Sequence, residues 1–138
     1  MIRENLLVSR MIEFPWLNDQ ILPVIPISLS CSNFTISANA LLDTGSTVNV
    51  LPYDLGLQLG AIWEDQKVSI PLAGNLAKTE AKGLFVELQL QDLEPVRLAF
   101  AWAKTSQLPL ILGQTNFFQE FDVCFQRSSQ SIKVTLRR

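Results

Sequence analysis

The chain has 138 residues, 48% of them apolar and 17% charged, which suits one folded domain and rules out a disordered or low-complexity tail. Eleven Lys and Arg against thirteen Asp and Glu leave a net charge of -2, so no broad cationic face exists to hold a phosphate backbone and nucleic acid is not expected as a partner. Histidine is absent, which removes Ser-His-Asp and Cys-His nucleophiles, histidine metal sites and histidine general bases together.

Residues 1–16 read as an N-terminal arm ahead of a single domain at 17–138. The arm carries charge at Arg3, Glu4 and Arg10, and its apolar run, Leu6, Leu7 and Val8, is too short for a signal-peptide core or a membrane span. A cytoplasmic, reducing location without membrane partners is the resulting expectation. Cys31 and Cys124 are too far apart for a CxxC motif and read as buried thiols, with a disulfide between them left open.

In residues 21–31, Ile25, Ile27, Leu29 and Cys31 alternate with Ser28 and Ser30, the period-two pattern of a half-buried strand. Pro23 and Pro26 place it toward an edge. After a polar turn at Ser32 and Asn33, the residues Ile36, Ala38, Ala40 and Leu42 share one face, so the two strands form a hairpin. Residues 52–59 predict a short helix that begins on Pro52 and ends at Gly60. Trp63 follows, either beneath the next hairpin or exposed. Polar arms at 67–70 and 78–82 flank Pro71, Leu72, Ala73, Gly74 and Asn75, a proline and glycine turn that predicts a protruding hairpin.

Leu84, Val86, Leu88 and Leu90 form a strand that returns through a turn at 91–95 into a second strand over 96–102, whose last residue, Trp102, is expected in the core. The apolar run of Leu108, Pro109, Leu110, Ile111 and Leu112 stops at Gly113. Thr115 is placed to cap a short helix through Phe121, with Phe117, Phe118 and Phe121 on one face. Val123 and Phe125, then Ile132, Val134 and Leu136, alternate around a turn at 126–130 as a final hairpin. Such a series of short strands with one or two short helices predicts a mainly β domain, a closed or sandwich-like barrel.

Chemistry concentrates at residues 41–46, Leu-Leu-Asp-Thr-Gly-Ser. Aspartate is disfavoured in strands and costly to bury, so Asp43 at the end of an apolar strand either satisfies a local turn or is kept for use. The wider stretch from Ala40 to Thr47, with Ile111, Leu112 and Gly113 further on, resembles the two signatures of retropepsin-like (retroviral-type) aspartic proteases, prokaryotic members included. The proline and glycine hairpin between them stands where that family has its flap, and the order of elements agrees from about residue 21 to residue 125.

The resemblance implies an acid-protease barrel that works as a two-fold homodimer, an aspartic endopeptidase of peptide or protein substrates with no metal or organic cofactor. Hydrolysis of this kind needs two carboxylates sharing a proton, one activating water while the other protonates the scissile carbonyl oxygen. Only Asp43 is followed by Thr-Gly; Asp19, Asp54, Asp65, Asp92 and Asp122 have no comparable Thr-Gly or Ser-Gly after them. The second carboxylate is therefore expected from Asp43 of another copy.

By the same resemblance, Thr44 reaches across the dimer axis to the partner's backbone and Gly45 lets the turn form, bringing its N–H toward the carboxylate. Ser46 is expected to donate its hydroxyl to Asp43, which favours the ionised form and predicts an acidic optimum. Pro71, Leu72, Ala73, Gly74 and Asn75 form the flap, with Gly74 at its tip, closing over a peptide held as an added strand. Thr47, Val50, Pro109 and Ile111 are subsite candidates for large apolar side chains, although Val50 and Ile111 read equally well as barrel core.

Two features depart from the family. Many retroviral enzymes pair an Asp four positions after the catalytic one with an Arg directly after the second glycine, whereas these positions are Thr47 and Gln114 here. The ion pair is absent, and a Thr47 to Gln114 hydrogen bond is the available substitute. The C-terminal hairpin is longer than the retroviral ending and resembles that of pepsin-like lobes, which predicts an interface sheet built from these strands. A catalytically silent peptide-binding or dimerisation module of the same fold is the alternative reading.

Overall fold

The structure is a computed structural model that describes residues 10–16 and 21–137; the apolar run at residues 6–8 and Asp19 lie outside the described residues. Alternating apolar positions do what the sequence pattern requires. Strands β2 (Val24–Cys31) and β3 (Phe34–Leu42) pair antiparallel with Ile25 opposite Ala40, Ile27 opposite Ala38 and Leu29 opposite Ile36. Ile25, Leu29 and Ala40 are thereby fully buried, while Ser28 and Ser37 meet on the outer face. A tight turn through Ser32, whose φ is 53°, joins the two strands.

A short strand β4 (Asn49–Leu51) leads into helix α1 (Tyr53–Gln58). Pro52 caps this helix in an extended conformation instead of occupying its first turn, and Gly60 at φ 80° follows its end. Gly56 is dictated by packing: a side chain there would strike the ring of Trp102, whose indole N–H donates to the Tyr53 carbonyl at 3.1 Å. Trp63 is buried in an edge-on contact with Trp102, ring centroids 5.1 Å apart.

Strands β5 (Ala81–Gln89) and β6 (Val96–Ala103) form the next hairpin, and β7 (Leu110–Leu112) follows. Six strands close into a barrel in the order β2-β3-β7-β4-β6-β5. The hairpin at 67–82 is less regular than its polar arms predict. One bridge joins Ser69 to Lys82, the Ile70 N–H donates to Ala81, and the tip carries a 3-10 turn at Gly74–Leu76.

Helix α2 (Phe117–Glu120) begins after Asn116, and Thr115 does not cap it. The Thr115 peptide is used instead to bond Thr47 and Asn49, so its backbone is committed to the loop beside β4. Strands β8 (Phe121–Gln126) and β9 (Ser131–Leu136) make the last hairpin, and β1 (Arg10–Pro15) adds to β9 to give a separate sheet, β1-β9-β8. Ile12, Phe14, Ile132 and Val134 point from this sheet into the core shared with the barrel, where Phe117 and Phe121 stack at 4.7 Å. Each such buried side chain contributes about 1.5–3 kcal/mol relative to exposure. Both cysteines are free; Cys31 is partly buried, but Cys124 is exposed because it alternates with Val123 onto the outer face of β8.

Candidate functional site

Parallel pairing of β3 with β7 brings the two glycine-bearing segments together. Leu41 lies opposite Ile111 and Leu42 opposite Leu112, and the Asp43 N–H continues the ladder by donating to the Leu112 carbonyl at 3.0 Å. Asp43 is thus the first residue past the end of β3, where the chain must turn. The turn is made by the Ser46 N–H donating to the Asp43 carbonyl at 3.1 Å and the Gly45 N–H donating to Asp43 Oδ1 at 2.9 Å. The other carboxylate oxygen accepts no hydrogen bond from the described residues.

The Ser46 hydroxyl does not reach Asp43. It donates instead to the Val48 carbonyl at 2.7 Å, two residues further along the chain. Gly113 packs directly on the segment from Ser46 to Val48: a Cβ there would lie 2.7 Å from the Ser46 carbonyl oxygen. The chain after Gly113 then runs beside it, with the Gln114 and Thr115 N–H groups donating to the Ser46 and Thr47 carbonyls, each at 2.9 Å. The Gln114 side chain goes to the Thr44 carbonyl at 2.9 Å, so it braces the aspartate loop without engaging the Thr47 side chain.

Asp43 opens into a cleft of about 300 Å³. Gly45, Ser46, Thr47, Val50 and Ile111 form its floor and walls, and Leu72, Ala73, Gly74, Asn75 and Leu76 from the hairpin tip stand over it. Leu72 is buried in a small apolar cluster with Val50 and Ile111, separate from the main core. Asp43 is the one ionisable group among the cleft's described residues. Thr44 is exposed beside the cleft, and Leu112 and Gly113 support it from behind. Pro71 and Pro109 are exposed and are not among the residues that line this cleft; Pro109 directly precedes β7. A wider hollow of about 480 Å³ outside β2 and β3 contains Ser28, Ser37, Asn39 and Gln89 but no ionisable side chain.

Sequence reasoning missed Val48, which also lines the cleft, and Asn49, which is fully buried behind it. The signal for Asn49 was present as a lone carboxamide between Val48 and Leu51 in an otherwise apolar run.

This closed barrel with parallel-paired aspartate and glycine segments has the fold of retropepsin-like aspartic proteases. The crystal structure of a retropepsin-like aspartic protease from Rickettsia conorii superposes with a TM-score of 0.69, covering 94% of each chain at 11% sequence identity. Neither a protein-family model nor a curated protein matches the sequence. Among the described residues, no helix is long and apolar enough to cross a membrane, and no three His, Cys, Asp or Glu side chains cluster as metal ligands.

Proposed function

We propose that this chain is an aspartic endopeptidase that acts as a homodimer, with Asp43 of each copy forming the catalytic pair. The observation that carries the reading is the single carboxylate at the floor of an otherwise uncharged cleft in a retropepsin-like barrel. One carboxylate cannot both take a proton from water and give one to the substrate in the same step. Two copies supply both roles. The ionised Asp43 accepts a proton as water adds to the scissile carbonyl carbon, and the protonated partner donates to its oxygen. The tetrahedral intermediate then collapses: the nitrogen takes the proton that the first Asp43 received from water, the C–N bond breaks, and a hydroxyl proton returns to the other carboxylate as the new carboxyl group forms.

Other local features suit this role. Thr44 and Gly45 are exposed, available to a second copy. Val48, Val50, Leu72, Leu76 and Ile111 give the cleft apolar walls, which favours large apolar side chains around the cut. A peptide lying between the Asp43 loop and the hairpin would be held chiefly through its main chain. Because two close carboxylates resist ionising together, the working form retains one shared proton and activity is favoured in acid.

The test is incubation with an unstructured protein between about pH 3 and 7, a range that brackets carboxylate titration, with fragments sequenced by mass spectrometry beside an Asp43→Asn control. Acid-favoured cuts between large apolar residues, absent from the control, are expected. An uncleaved substrate at concentrations where the dimer is demonstrably present would instead support a peptide-binding module.

A further inference from the structure

Asn49 has no exposed surface, and a buried carboxamide is tolerated only where its donors and acceptor are met. Its Oδ1 accepts the Gly113 N–H at 2.8 Å. Its Nδ2 donates to the Ala99 carbonyl on β6 at 2.9 Å and to Asn116 Oδ1 at 3.4 Å. Reversing the carboxamide would set its NH2 against the Gly113 N–H and its oxygen against the Ala99 carbonyl, so only one orientation satisfies the site.

The Gly113 N–H and the Leu112 carbonyl belong to one peptide unit. That carbonyl accepts the Asp43 N–H at 3.0 Å. A single planar peptide therefore has Asn49 on one side and the Asp43 backbone on the other. Asn49 is in turn anchored to the barrel wall through Ala99, whose own N–H is taken by Asn116 Oδ1 at 3.0 Å. No other side chain among the described residues accepts the Gly113 N–H.

We propose that Asn49 is a positioning residue for Asp43: its carboxamide fixes the Leu112 to Gly113 peptide and through it sets where the Asp43 backbone, and so its carboxylate, stands. The assignment rests on the protease reading for its effect on rate, and on the hydrogen-bond path alone for its effect on Asp43. Asn116 shares the buried network but does not touch the Gly113 peptide. Loss of Asn116 should weaken the fold without displacing Asp43.

The experiment compares the full-length wild type with Asn49→Leu, Asn49→Asp and Asn116→Ala. It reads kcat and KM per folded dimer, melting temperature, and the backbone amide resonance of Asp43. Asn49→Leu should lower kcat by about tenfold or more with KM within about twofold, and shift the Asp43 amide. Asn49→Asp should approach the wild-type kcat in acid, where a protonated carboxyl accepts from Gly113 and donates to Ala99, and fall progressively below the wild type as the pH rises. Asn116→Ala should melt earlier yet keep kcat and the Asp43 resonance. Equal kcat losses in Asn49→Leu and Asn116→Ala, or an unmoved Asp43 amide in Asn49→Leu, would overturn the proposal.

If Asn49→Leu does not fold, Asn49→Asp against Asn116→Ala decides: an Asn49→Asp variant whose kcat and Asp43 resonance follow the wild type at every pH overturns it. If the wild type cleaves nothing, the protease reading fails while the Asp43 resonance still decides the positioning role.

Discussion

Gly113 and Val48 are in backbone contact, so close that a Cβ on Gly113 would collide with the Val48 carbonyl oxygen. The obstacle is main chain in the segment that leads from the Asp43 turn into β4, and it cannot rotate away as a flexible side chain would. Gly113→Ala should cost about 1–3 kcal/mol or more of stability through overpacking, with loss of cleavage activity. Chemical denaturation and a peptide assay check both, and an alanine variant with wild-type stability would show that the two segments separate easily.

Ser46 offers a test of what its hydroxyl does. Since it donates to the Val48 carbonyl and not to Asp43, Ser46→Ala should lose about 0.5–1.5 kcal/mol of stability while the pH profile of cleavage keeps its shape. A profile displaced along the pH axis would mean that the hydroxyl reaches the carboxylate when substrate or a second copy is present.

Leu72 joins the hairpin tip to the cleft floor through the cluster with Val50 and Ile111. Leu72→Ala should reduce kcat/KM for a bulky apolar peptide by about tenfold, mainly through KM, as lost side-chain volume in an apolar pocket does. Proteolytic nicking of the 71–79 segment should become faster. Unchanged KM would remove Leu72 from substrate binding.

Gln114 holds the Thr44 carbonyl with a neutral donor, its carboxamide Nε2. Gln114→Ala should therefore loosen the loop expected at the dimer axis and raise the dimer dissociation constant, measured by sedimentation at several concentrations. The brace involves no ionic partner, so the bond it makes should respond little to salt. An unaltered dimer would confine Gln114 to the monomer fold.

The barrel strands were legible because period-two alternation is a property of the local sequence. The pairs of Ile25 with Ala40 and Leu88 with Val96 are the ones that pattern demands. Asp43 and Gly113 were legible as motif residues, and Gly45 as the N–H donor to the carboxylate. What could not be read locally were the destinations of polar side chains with several partners in reach. The Ser46 hydroxyl and the Gln114 carboxamide each found a backbone carbonyl, Val48 and Thr44, that only the turn geometry brings near. Thr115 looked like a helix cap because a helix does follow it, but its backbone was claimed by Thr47 and Asn49. Whether the arm holds a strand could not be read locally, because the partner of β1 is the most distant in sequence, Arg10 lying opposite Leu136 on β9.

The central claim is that two Asp43 carboxylates, one from each copy, perform one reaction, and subunit mixing tests it most directly. Wild-type protein is allowed to exchange subunits with an equal amount of Asp43→Asn protein, and cleavage is compared with that of wild type alone at the same total protein concentration. In a two-fold dimer of freely exchanging subunits about one quarter of the dimers then carry both carboxylates, so activity should fall to about one quarter. Retention of about half the activity would mean that each wild-type subunit works by itself, and would contradict the shared pair.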